Sequence, residues 1–400
     1  MALQRKRYPM LSDSDFRFCL QQIDGRQRTK DKLPSFAQME GWQYPPRLNL
    51  EQCSSERTAR FKAQVLGDIR KQQSEILLID GTGGYGVDTF FMSEQAQETH
   101  YFEQNSELAV IAEQNFRLAG KEIHCHAEPF DVTQLSQLMA NSQRPMVLYM
   151  DPARRDNHGG KVFLLEDCTP NVIDIIREIR TEQSIRVLLK LSPMLDFHQA
   201  VAQLGGSWDI YVVSVNNEVK ELLLLSEGTG KVYAVMLADE GEQVFSFTQD
   251  EESGAEVQYI SFVSDSSVES ALNGLYVYEP DAALLKAGCF RLLSARYGLL
   301  KADRNTHLYL NSRKSKVESQ KQKVESQKQN LPGRWWQIVG VYTRVKDVQR
   351  VCTRTNVLTR NYVLAADALR KQLRLKDGGD DYIIGCRIAD KPLLLHCQRI

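Results

Sequence analysis

The stretch Ile76–Asp88, ILLIDGTGGYGVD, is the strongest indication of the fold of this chain. Four apolar residues lead into an acid, a cluster of glycines and a segment with helical spacing, which predicts a buried parallel strand, a sharp turn and a helix. Glycine lets the backbone bend tightly and approach a ligand with no Cβ atom in the way. A second apolar strand ends at Glu103, where a carboxylate can accept hydrogen bonds from two ribose hydroxyls. The unit predicts a site for a cofactor that contains a nucleoside.

Three features favour S-adenosylmethionine over NAD, although the glycine cluster also satisfies the dinucleotide pattern G-x-G-x-x-G. Asp80, directly before the glycines, suits an amino group and a cationic sulfonium, and it would repel a pyrophosphate at the helix N-terminus. An apolar strand precedes the tetrapeptide DPAR at 151–154. Two β-rich runs, Trp208–Val215 and Glu218–Leu225, are joined by two asparagines. So short a connection predicts a hairpin, and hence an antiparallel strand added to a parallel sheet.

These segments resemble class I S-adenosylmethionine-dependent methyltransferases. DGTGGYGVD resembles that family's first motif, Glu103 its second, and DPAR its fourth, a relative of the D/N-P-P-x tetrapeptide of enzymes that methylate planar nitrogens. More narrowly, the chain is similar to a bacterial group of RNA methyltransferases that join such a domain to a C-terminal THUMP-like RNA-binding domain. That resemblance rests on LEQCSSERTARFKA (50–63), VNNEVKELLL (215–224), YVYEPDAALLKAG (276–288) and LRKQLRLKDGGDDYI (369–383).

The resemblance implies a set of cofactor-binding residues at or near the ends of strands. They are Asp80, Gly81, Thr82, Gly83, Gly84, Gly86, Glu103 and Asp131. Glu103 would bind the ribose, and Asp131 would meet the adenine amino group with Phe130 against the ring. A helix cap is an equal alternative for Asp131, and Glu128 competes with it for the adenine. The segment 50–63 also places Gln52, Ser54 and Ser55 beside the cofactor.

Asp151, Pro152, Ala153 and Arg154 form the candidate catalytic loop. Methyl transfer needs the acceptor lone pair in line with the S–CH₃ bond, at roughly 3–3.5 Å. Asp151 can accept the N–H bonds of an exocyclic amine and so direct its lone pair toward the methyl group, while Pro152 makes the loop rigid. Ala153 and Arg154 replace the second proline and the aromatic residue that are common in the family. Arg154 could stack on a base or bind RNA phosphate instead.

Charge is distributed unevenly along the 400 residues, of which 42% are hydrophobic and which suffice for two or three domains. The net charge is −1, but residues 1–70 carry +5, residues 331–400 carry +7 and the middle carries −13. Basic ends around an acidic middle are typical of an enzyme flanked by modules that bind polyanions. A merely solvated basic surface is an equal alternative.

The strongest nucleic-acid signal is the region Arg334–Arg399. It is basic, with interleaved aromatic residues Trp335, Trp336, Tyr342 and Tyr362, a combination that suits RNA. Taken alone, the region is better explained by tryptophans in a core. The THUMP-like resemblance reverses that preference and implies RNA, either tRNA or rRNA, as the partner.

Cysteine and histidine spacing predicts neither disulfides nor a metal site. The eight cysteines include no C-x-x-C, and His124 and His126 flank Cys125 in strand-like alternation with no partner cluster nearby in the sequence. The N-terminus lacks the apolar region of a secretory signal, and no apolar run reaches membrane-spanning length. We expect a cytoplasmic protein with no metal, no membrane contact and no obligate protein partner.

Strands and helices alternate from residue 76 to about 207, which predicts a doubly wound, mostly parallel α/β sheet. The resemblance implies seven strands in a Rossmann-like methyltransferase arrangement, the last of them antiparallel. The predicted organisation is a helical N-terminal segment, the sheet domain, a β-rich and ferredoxin-like region, a linker carrying KVESQKQ twice, and a THUMP-like domain. The ferredoxin-like region and the THUMP-like domain are predicted to be small α+β domains, which the linker connects. The boundaries are 1–70, 71–230, 231–315, 316–330 and 331–400.

The resemblance implies a methyltransferase that acts on RNA, with the exocyclic N2 amine of guanine as the first guess. A methyltransferase for a small molecule or a protein is the alternative within the same class. A non-catalytic RNA-binding protein with a degenerate cofactor site is the alternative from another class, and the intact Asp80, Glu103 and glycines count against it. An NAD-dependent oxidoreductase is disfavoured by the hairpin and by DPAR.

Overall fold

The computed structural model describes residues 8–73, 75–154, 165, 168–179, 185–239, 241–262, 268–311 and 331–400. They form two compact units. The first contains Met1–Tyr211 and Glu221–Gly230, and the second contains Val212–Lys220 and Lys231–Ile400. The KVESQKQ repeat and the predicted linker at 316–330 lie outside the described residues.

The first unit begins with four helices: α1 (Asp13–Thr29), α2 (Pro34–Gln38), α3 (Arg47–Gln52) and α4 (Glu56–Gln72). The predicted helical N-terminal segment is interrupted between α3 and α4. The interruption arises because Ser55 is extended and caps α4, its side chain accepting a hydrogen bond from Thr58 N.

Seven strands form the doubly wound part of the first sheet: β1 (Leu77–Asp80), β2 (Glu98–Phe102), β3 (His124–His126), β4 (Met146–Met150), β7 (Ile185–Leu191), β8 (Trp208–Val215) and β9 (Glu218–Ser226). Two-residue strands β5 (Ala153–Arg154) and β6 (Cys168–Thr169) pair separately. Connecting helices are α5 (Val87–Met92), α6 (Ser106–Leu118), α7 (Val132–Asn141), α8 (Val172–Ile179) and α9 (Phe197–Leu204), with a 3₁₀ turn at Ser93–Gln95. Among the described residues the first sheet has nine strands, and these seven stand in the order β8-β9-β7-β4-β1-β2-β3 within it.

The strand directions confirm the predicted doubly wound sheet. Strands β1, β2, β3, β4 and β7 pair in parallel, whereas β9 lies antiparallel to β7. Asn216 and Asn217, which connect β8 and β9, have φ values of 51° and 65°. Two consecutive positive values are typical of a type I′ hairpin turn, which asparagine tolerates better than most residues.

The sheet brings the candidate site residues to one edge. Strands β1 and β4 are buried along their whole length because helices cover both faces of a doubly wound sheet. Asp80, Glu103 and Asp151 come at or directly after the carboxyl ends of three neighbouring strands. Ligands of such folds bind outside these strand ends.

The second unit consists of β10 (Lys231–Ala238), β11 (Gly241–Thr248), β12 (Tyr276–Pro280), β13 (Leu299–Asp303), β14 (Thr306–Asn311), β15 (Gly333–Tyr342), β16 (Asn356–Arg360), β17 (Asp381–Ile388) and β18 (Lys391–Arg399). Its helices are α10 (Gln249–Gly254), α11 (Val268–Leu272), α12 (Ala282–Ala287), α13 (Phe290–Tyr297), α14 (Val345–Val348) and α15 (Ala366–Leu373). Strands β12 to β18 form one mixed sheet in the order β13-β14-β12-β15-β18-β17-β16.

The two adjacent tryptophans of β15 lie in the interior of the second unit. Trp335 and Trp336 are only 3% and 1% exposed. Trp336 belongs to an apolar cluster with residues of β12, β14, β17 and β18, and Trp335 lies against Tyr278 with ring centroids 4.6 Å apart. The interpretation of these tryptophans as RNA-contacting side chains is therefore wrong, because both faces of β15 are needed for packing. None of the helices in the described ranges combines the length and the hydrophobicity that a membrane span requires.

Candidate cofactor site and catalytic loop

The glycine loop between β1 and α5 is shaped by close packing on neighbouring strands. Gly83 N donates to the carbonyl of Phe102, at 2.8 Å, and a Cβ atom at Gly83 would overlap the ring of Tyr101. Gly86 has a φ of 78°, a left-handed conformation that L side chains rarely adopt. Gly81 donates from its N–H to the carbonyl of Tyr149 at 3.0 Å. The loop is thereby held against the ends of both flanking strands.

Asp80 organises this loop from within. Its side chain is buried, with Oδ1 accepting a hydrogen bond from Thr82 N at 3.0 Å and Oδ2 accepting one from Thr89 Oγ1 at 2.5 Å. Burial raises the pKa of Asp80 to about 7, while these two hydrogen bonds oppose the shift. The nearby acids Asp88 and Asp151 raise it further. Asp80 is therefore a carboxyl group whose charge changes near neutral pH.

Glu103 fixes the loop from the neighbouring strand. Its Oε2 accepts a hydrogen bond from Gly84 N at 2.8 Å, and its Oε1 accepts one from Asn105 N at 2.7 Å. The side chain is half-buried. Each carboxylate oxygen has a second lone pair, so the group retains acceptor capacity for a pair of ribose hydroxyls.

Asp131 and Phe130 lie at the start of α7. The Asp131 side chain accepts from Thr133 N at 2.7 Å, and Gln134 returns a hydrogen bond to Asp131 N at 3.0 Å, which completes a capping box. Phe130 is buried against Gly81 and Phe102. The structure thus gives Asp131 the capping role that was one of its two alternatives, while Phe130 forms a wall beside the glycine loop.

The candidate catalytic loop is attached directly to the glycine loop. Asp151 N donates to Thr82 Oγ1 at 2.6 Å, and Asp151 Oδ2 lies 2.5 Å from Lys190 Nζ. Pro152 is half-buried and Ala153 is exposed. Ala153 and Arg154 form β5, while the side chain of Arg154 and all of Arg155 lie outside the described part of the chain.

Lys190, which the sequence did not single out, is the cation of this site. Burial alone would lower the pKa of Lys190, but the carboxylates of Asp151, Asp88 and Glu221 outweigh it and raise that pKa above its usual value. Lys190 therefore stays charged at neutral pH. Its position in β7, the strand next to that of Asp151, is the only signal that could have indicated it from the sequence.

A second buried cation, Lys62, contacts the helix that follows the glycine loop. Lys62 Nζ is 2.7 Å from Glu221 Oε1 and 3.2 Å from Asp88 Oδ1. Ser54 Oγ and Tyr149 Oη donate to Asp88 Oδ2 at 2.8 and 2.6 Å. We call these five residues the buried polar network. Three of the segments that carry the family resemblance supply four of its members.

The remaining residues of the segment 50–63 have different positions. Gln52 is exposed at the end of α3 and Ser55 caps α4, whereas Ser54 is buried beneath the loop. Of these three residues, Ser54 is the one that bonds to Asp88, in the helix that follows the glycine loop.

Exposed basic side chains of the second unit gather around α14, the following loop and the end of α15. We call this set the basic surface; it comprises Arg344, Lys346, Arg350, Arg354, Lys371, Arg374 and Lys376. Its two halves are joined by the hydrogen bonds of Thr355 N to the Lys376 carbonyl, at 3.0 Å, and of Gln349 Nε2 to the Gln372 carbonyl, at 3.3 Å. Asp347 pairs with two members of the set.

Known proteins with similar sequences are named methyltransferases, which agrees with the glycine loop, Glu103 and the antiparallel strand β9 of this chain. Two curated relatives, both named uncharacterized S-adenosylmethionine-dependent methyltransferases and both from Mycobacterium tuberculosis (strains CDC 1551 / Oshkosh and ATCC 25618 / H37Rv), are 29% identical over 249 residues. The match covers 62% of this chain and 61% of each relative, so the chain spans about three fifths of their length.

The chain is similar to proteins named S-adenosylmethionine-dependent methyltransferases. A crystal structure from Porphyromonas gingivalis W83, provisionally described as a methyltransferase, superposes with a TM-score of 0.78 at 28% identity and covers 95% of this chain and 89% of that chain. Residues 276–316 match a ferredoxin-like domain family, and residues 333–399 match a THUMP domain-like family. These findings confirm the family resemblance, the fold class and S-adenosylmethionine as the cofactor of the relatives.

Proposed function

We propose that this chain is an S-adenosylmethionine-dependent methyltransferase that modifies RNA at a base exocyclic amine, with guanine N2 as the first candidate acceptor. The observation that carries the proposal is the hydrogen bond from Asp151 N to Thr82 Oγ1, at 2.6 Å. It joins the carboxylate that would bind an amine directly to the loop that would bind the cofactor. Methyl transfer needs this proximity, because donor and acceptor must meet in line.

The chemistry of the loop residues suits S-adenosylmethionine. From Asp80 to Glu103 the chain contains two site carboxylates and neither lysine nor arginine, so it offers no cation to a pyrophosphate. Asp80 would favour the cationic amino and sulfonium groups, Glu103 would bind the ribose, and Phe130 would lie beside the adenine. When bound, the cofactor supplies an electrophilic methyl group on sulfur.

Asp151 and Lys190 would position the acceptor amine. Lys190 Nζ donates a hydrogen bond to Oδ2 of Asp151, and the Asp151 side chain is 40% exposed. The carboxylate can therefore still accept an N–H bond from a substrate. That bond would direct the nitrogen lone pair toward the methyl group, and the amine would lose its proton to solvent after transfer.

The basic surface supports RNA as the substrate. Exposed lysine and arginine side chains bind phosphates without reading the sequence, and such binding weakens steeply with salt. The THUMP-like match covers all seven members of the basic surface. Because both tryptophans are buried, the contact to RNA would depend on charge rather than on stacking by these side chains.

The test is transfer of a labelled methyl group from S-adenosylmethionine to total RNA, followed by nucleoside analysis of tRNA and rRNA fractions. We expect labelled N2-methylguanosine with the intact protein and its loss in Asp151→Asn. Asp24→Asn is a matched control, because Asp24 is also ion-paired and its side chain is 47% exposed.

Alternative functions give different products in the same assay. If the labelled methyl group appears in protein or in small molecules and not in RNA, the chain is a methyltransferase for a protein or a small molecule. Salt-sensitive RNA binding without any methyl transfer would favour the non-catalytic RNA-binding protein. Label in RNA at another atom would keep the enzyme and reject guanine N2.

A further inference from the structure

Four polar side chains gather on one face of β2 and β3, the last two strands of the first sheet. Glu98 and His100 come from β2, and His124 and His126 from β3, with His100 directly paired with His124 in the strand register. Residues two apart on a strand share a face, so all four side chains project to the same side. The sequence spacing could not reveal this group, since its partners come from two strands that are distant along the chain.

We propose that Glu98, His100 and His124 bind a divalent transition metal, with zinc as the favoured ion. One ligand atom from each of these residues lies within 4.8 Å of the others. In a tetrahedral zinc site with bonds of about 2.0–2.1 Å, ligand atoms are roughly 3.4 Å apart. His124 is exposed and the Glu98 side chain is 30% exposed, so rotation of these two side chains can close the gap without moving the core.

Two of the three proposed ligands, His100 and Glu98, already form hydrogen bonds with neighbouring side chains outside the site. His100 Nδ1 lies 3.0 Å from His126 Nε2, which leaves Nε2 of His100 for the metal in exchange for its present contact with Glu98 Oε1. Glu98 Oε2 accepts a hydrogen bond from Arg144 Nη1 at 2.6 Å. Such partners fix the orientation of metal ligands and tune their basicity.

The donor set indicates the class of metal. Two imidazoles and one carboxylate suit zinc and other first-row transition metals, whereas magnesium and calcium prefer oxygen ligands alone. The exposure of His124 leaves a coordination position for water. A bound ion would link β3 to β2 just before Glu103, whose N–H donates to the His126 carbonyl at 3.0 Å.

Calorimetric titration of the metal-free full chain with zinc chloride tests the site, with the visible spectrum of the cobalt form as a second readout. We expect one ion per chain, at least tenfold weaker binding in His124→Gln and Glu98→Gln, and about tenfold weaker binding in His126→Phe. His198→Gln, which removes an exposed histidine of α9, should bind as the intact chain does. His124→Gln changes an exposed residue, so its effect does not depend on a folding defect.

Three results would overturn the metal site. They are the absence of zinc binding, unchanged affinity in both His124→Gln and Glu98→Gln, and a cobalt spectrum with thiolate charge transfer that disappears in Cys125→Ser. The site does not rest on the proposed methyltransferase function, because zinc binding is measured without cofactor or RNA.

Discussion

Lys62 and Glu221 form a bidentate ion pair in the interior of the first unit, with Nζ 2.7 and 2.8 Å from the two carboxylate oxygens. The residues are 159 positions apart in the sequence, and their side chains are 0% and 3% exposed. Lys62 also contacts Asp88 and Ser54. The pair therefore fastens α4 and the antiparallel strand β9 to the helix that follows the glycine loop.

Removing one partner of this pair should be strongly destabilising. We expect Lys62→Met to lower the free energy of unfolding by about 3–5 kcal/mol, because Glu221 and Asp88 would keep buried charges without the cation that contacts them. Urea unfolding of Lys62→Met and of the parent chain measures this loss of stability. The double variant Lys62→Met with Glu221→Leu should be less destabilised than Lys62→Met alone. Arg47→Met is the control, because it breaks an exposed pair with Glu51, and it should cost less than about 1 kcal/mol. A cost for Lys62→Met as small as that of Arg47→Met would contradict the role of the pair.

Asp80 should give stability a pH dependence in the range where its charge changes. Its pKa is about 7 in the folded chain and about 3.9 in an unfolded one. Between pH 4 and 7 the folded state therefore keeps a proton that the unfolded state releases, so this group makes stability fall as pH rises. The isosteric Asp80→Asn lacks the effect. Urea unfolding of parent and variant at pH 5 and pH 7.5 measures the effect. From the lower to the higher pH, the stability of the variant relative to the parent should increase by a few kcal/mol. Parallel pH profiles of the two proteins would argue against this role of Asp80.

The same titration should affect cofactor affinity. An ionised Asp80 attracts a cationic ligand and a protonated one does not, so S-adenosylmethionine should bind more tightly at pH 8 than at pH 6. Isothermal titration at the two pH values measures the difference, and Asp80→Asn should abolish most of it. Equal pH dependence in parent and variant would assign the effect to another group.

Gly83 should not tolerate a side chain. A Cβ atom there would overlap the buried ring of Tyr101, so Gly83→Ala should lower the melting temperature and weaken S-adenosylmethionine binding. Gly254→Ala provides the control, because a Cβ at that position meets nothing within 4 Å and alanine favours a helix. Unchanged cofactor affinity in Gly83→Ala would show that the loop can open without loss of function.

Lys190 should act through Asp151 on turnover more than on cofactor binding. Loss of a charged hydrogen bond costs about 1.5–3 kcal/mol, so Lys190→Met should lower kcat about ten- to a hundredfold and leave KM for S-adenosylmethionine within a few-fold of the parent value. Lys121→Met is a matched control, since Lys121 is also a largely buried, ion-paired lysine. A fall in kcat no larger than that of the control would remove Lys190 from the mechanism.

The main sheet could be predicted from the sequence because its signals are local. The apolar run before Asp80, the glycine cluster and the pair Asn216-Asn217 each determine one turn, and the βαβ alternation then restricts the strand order. Helix α9 (Phe197–Leu204) also has local signals at both ends, because Asp196 caps it and Gly205 ends it.

The rest could not be predicted because it depends on contacts between distant residues. Neither Lys62 nor Glu221 carries a local signal for an ion pair, and the group at Glu98 and His100 needs β3 as a neighbour. Trp335 and Trp336 alternate along a strand that is covered on both sides, so their burial depends on β12, β17 and β18. Sequence composition alone cannot distinguish such a strand from a basic aromatic surface.

A calorimetric titration of the purified chain with S-adenosylmethionine, S-adenosylhomocysteine and NAD, beside Glu103→Ala, tests directly whether the glycine loop and Glu103 bind S-adenosylmethionine. We predict micromolar binding of both sulfur compounds, with loss of that binding in Glu103→Ala and no binding of NAD. Binding of NAD with no affinity for either sulfur compound would contradict S-adenosylmethionine as the cofactor of this chain.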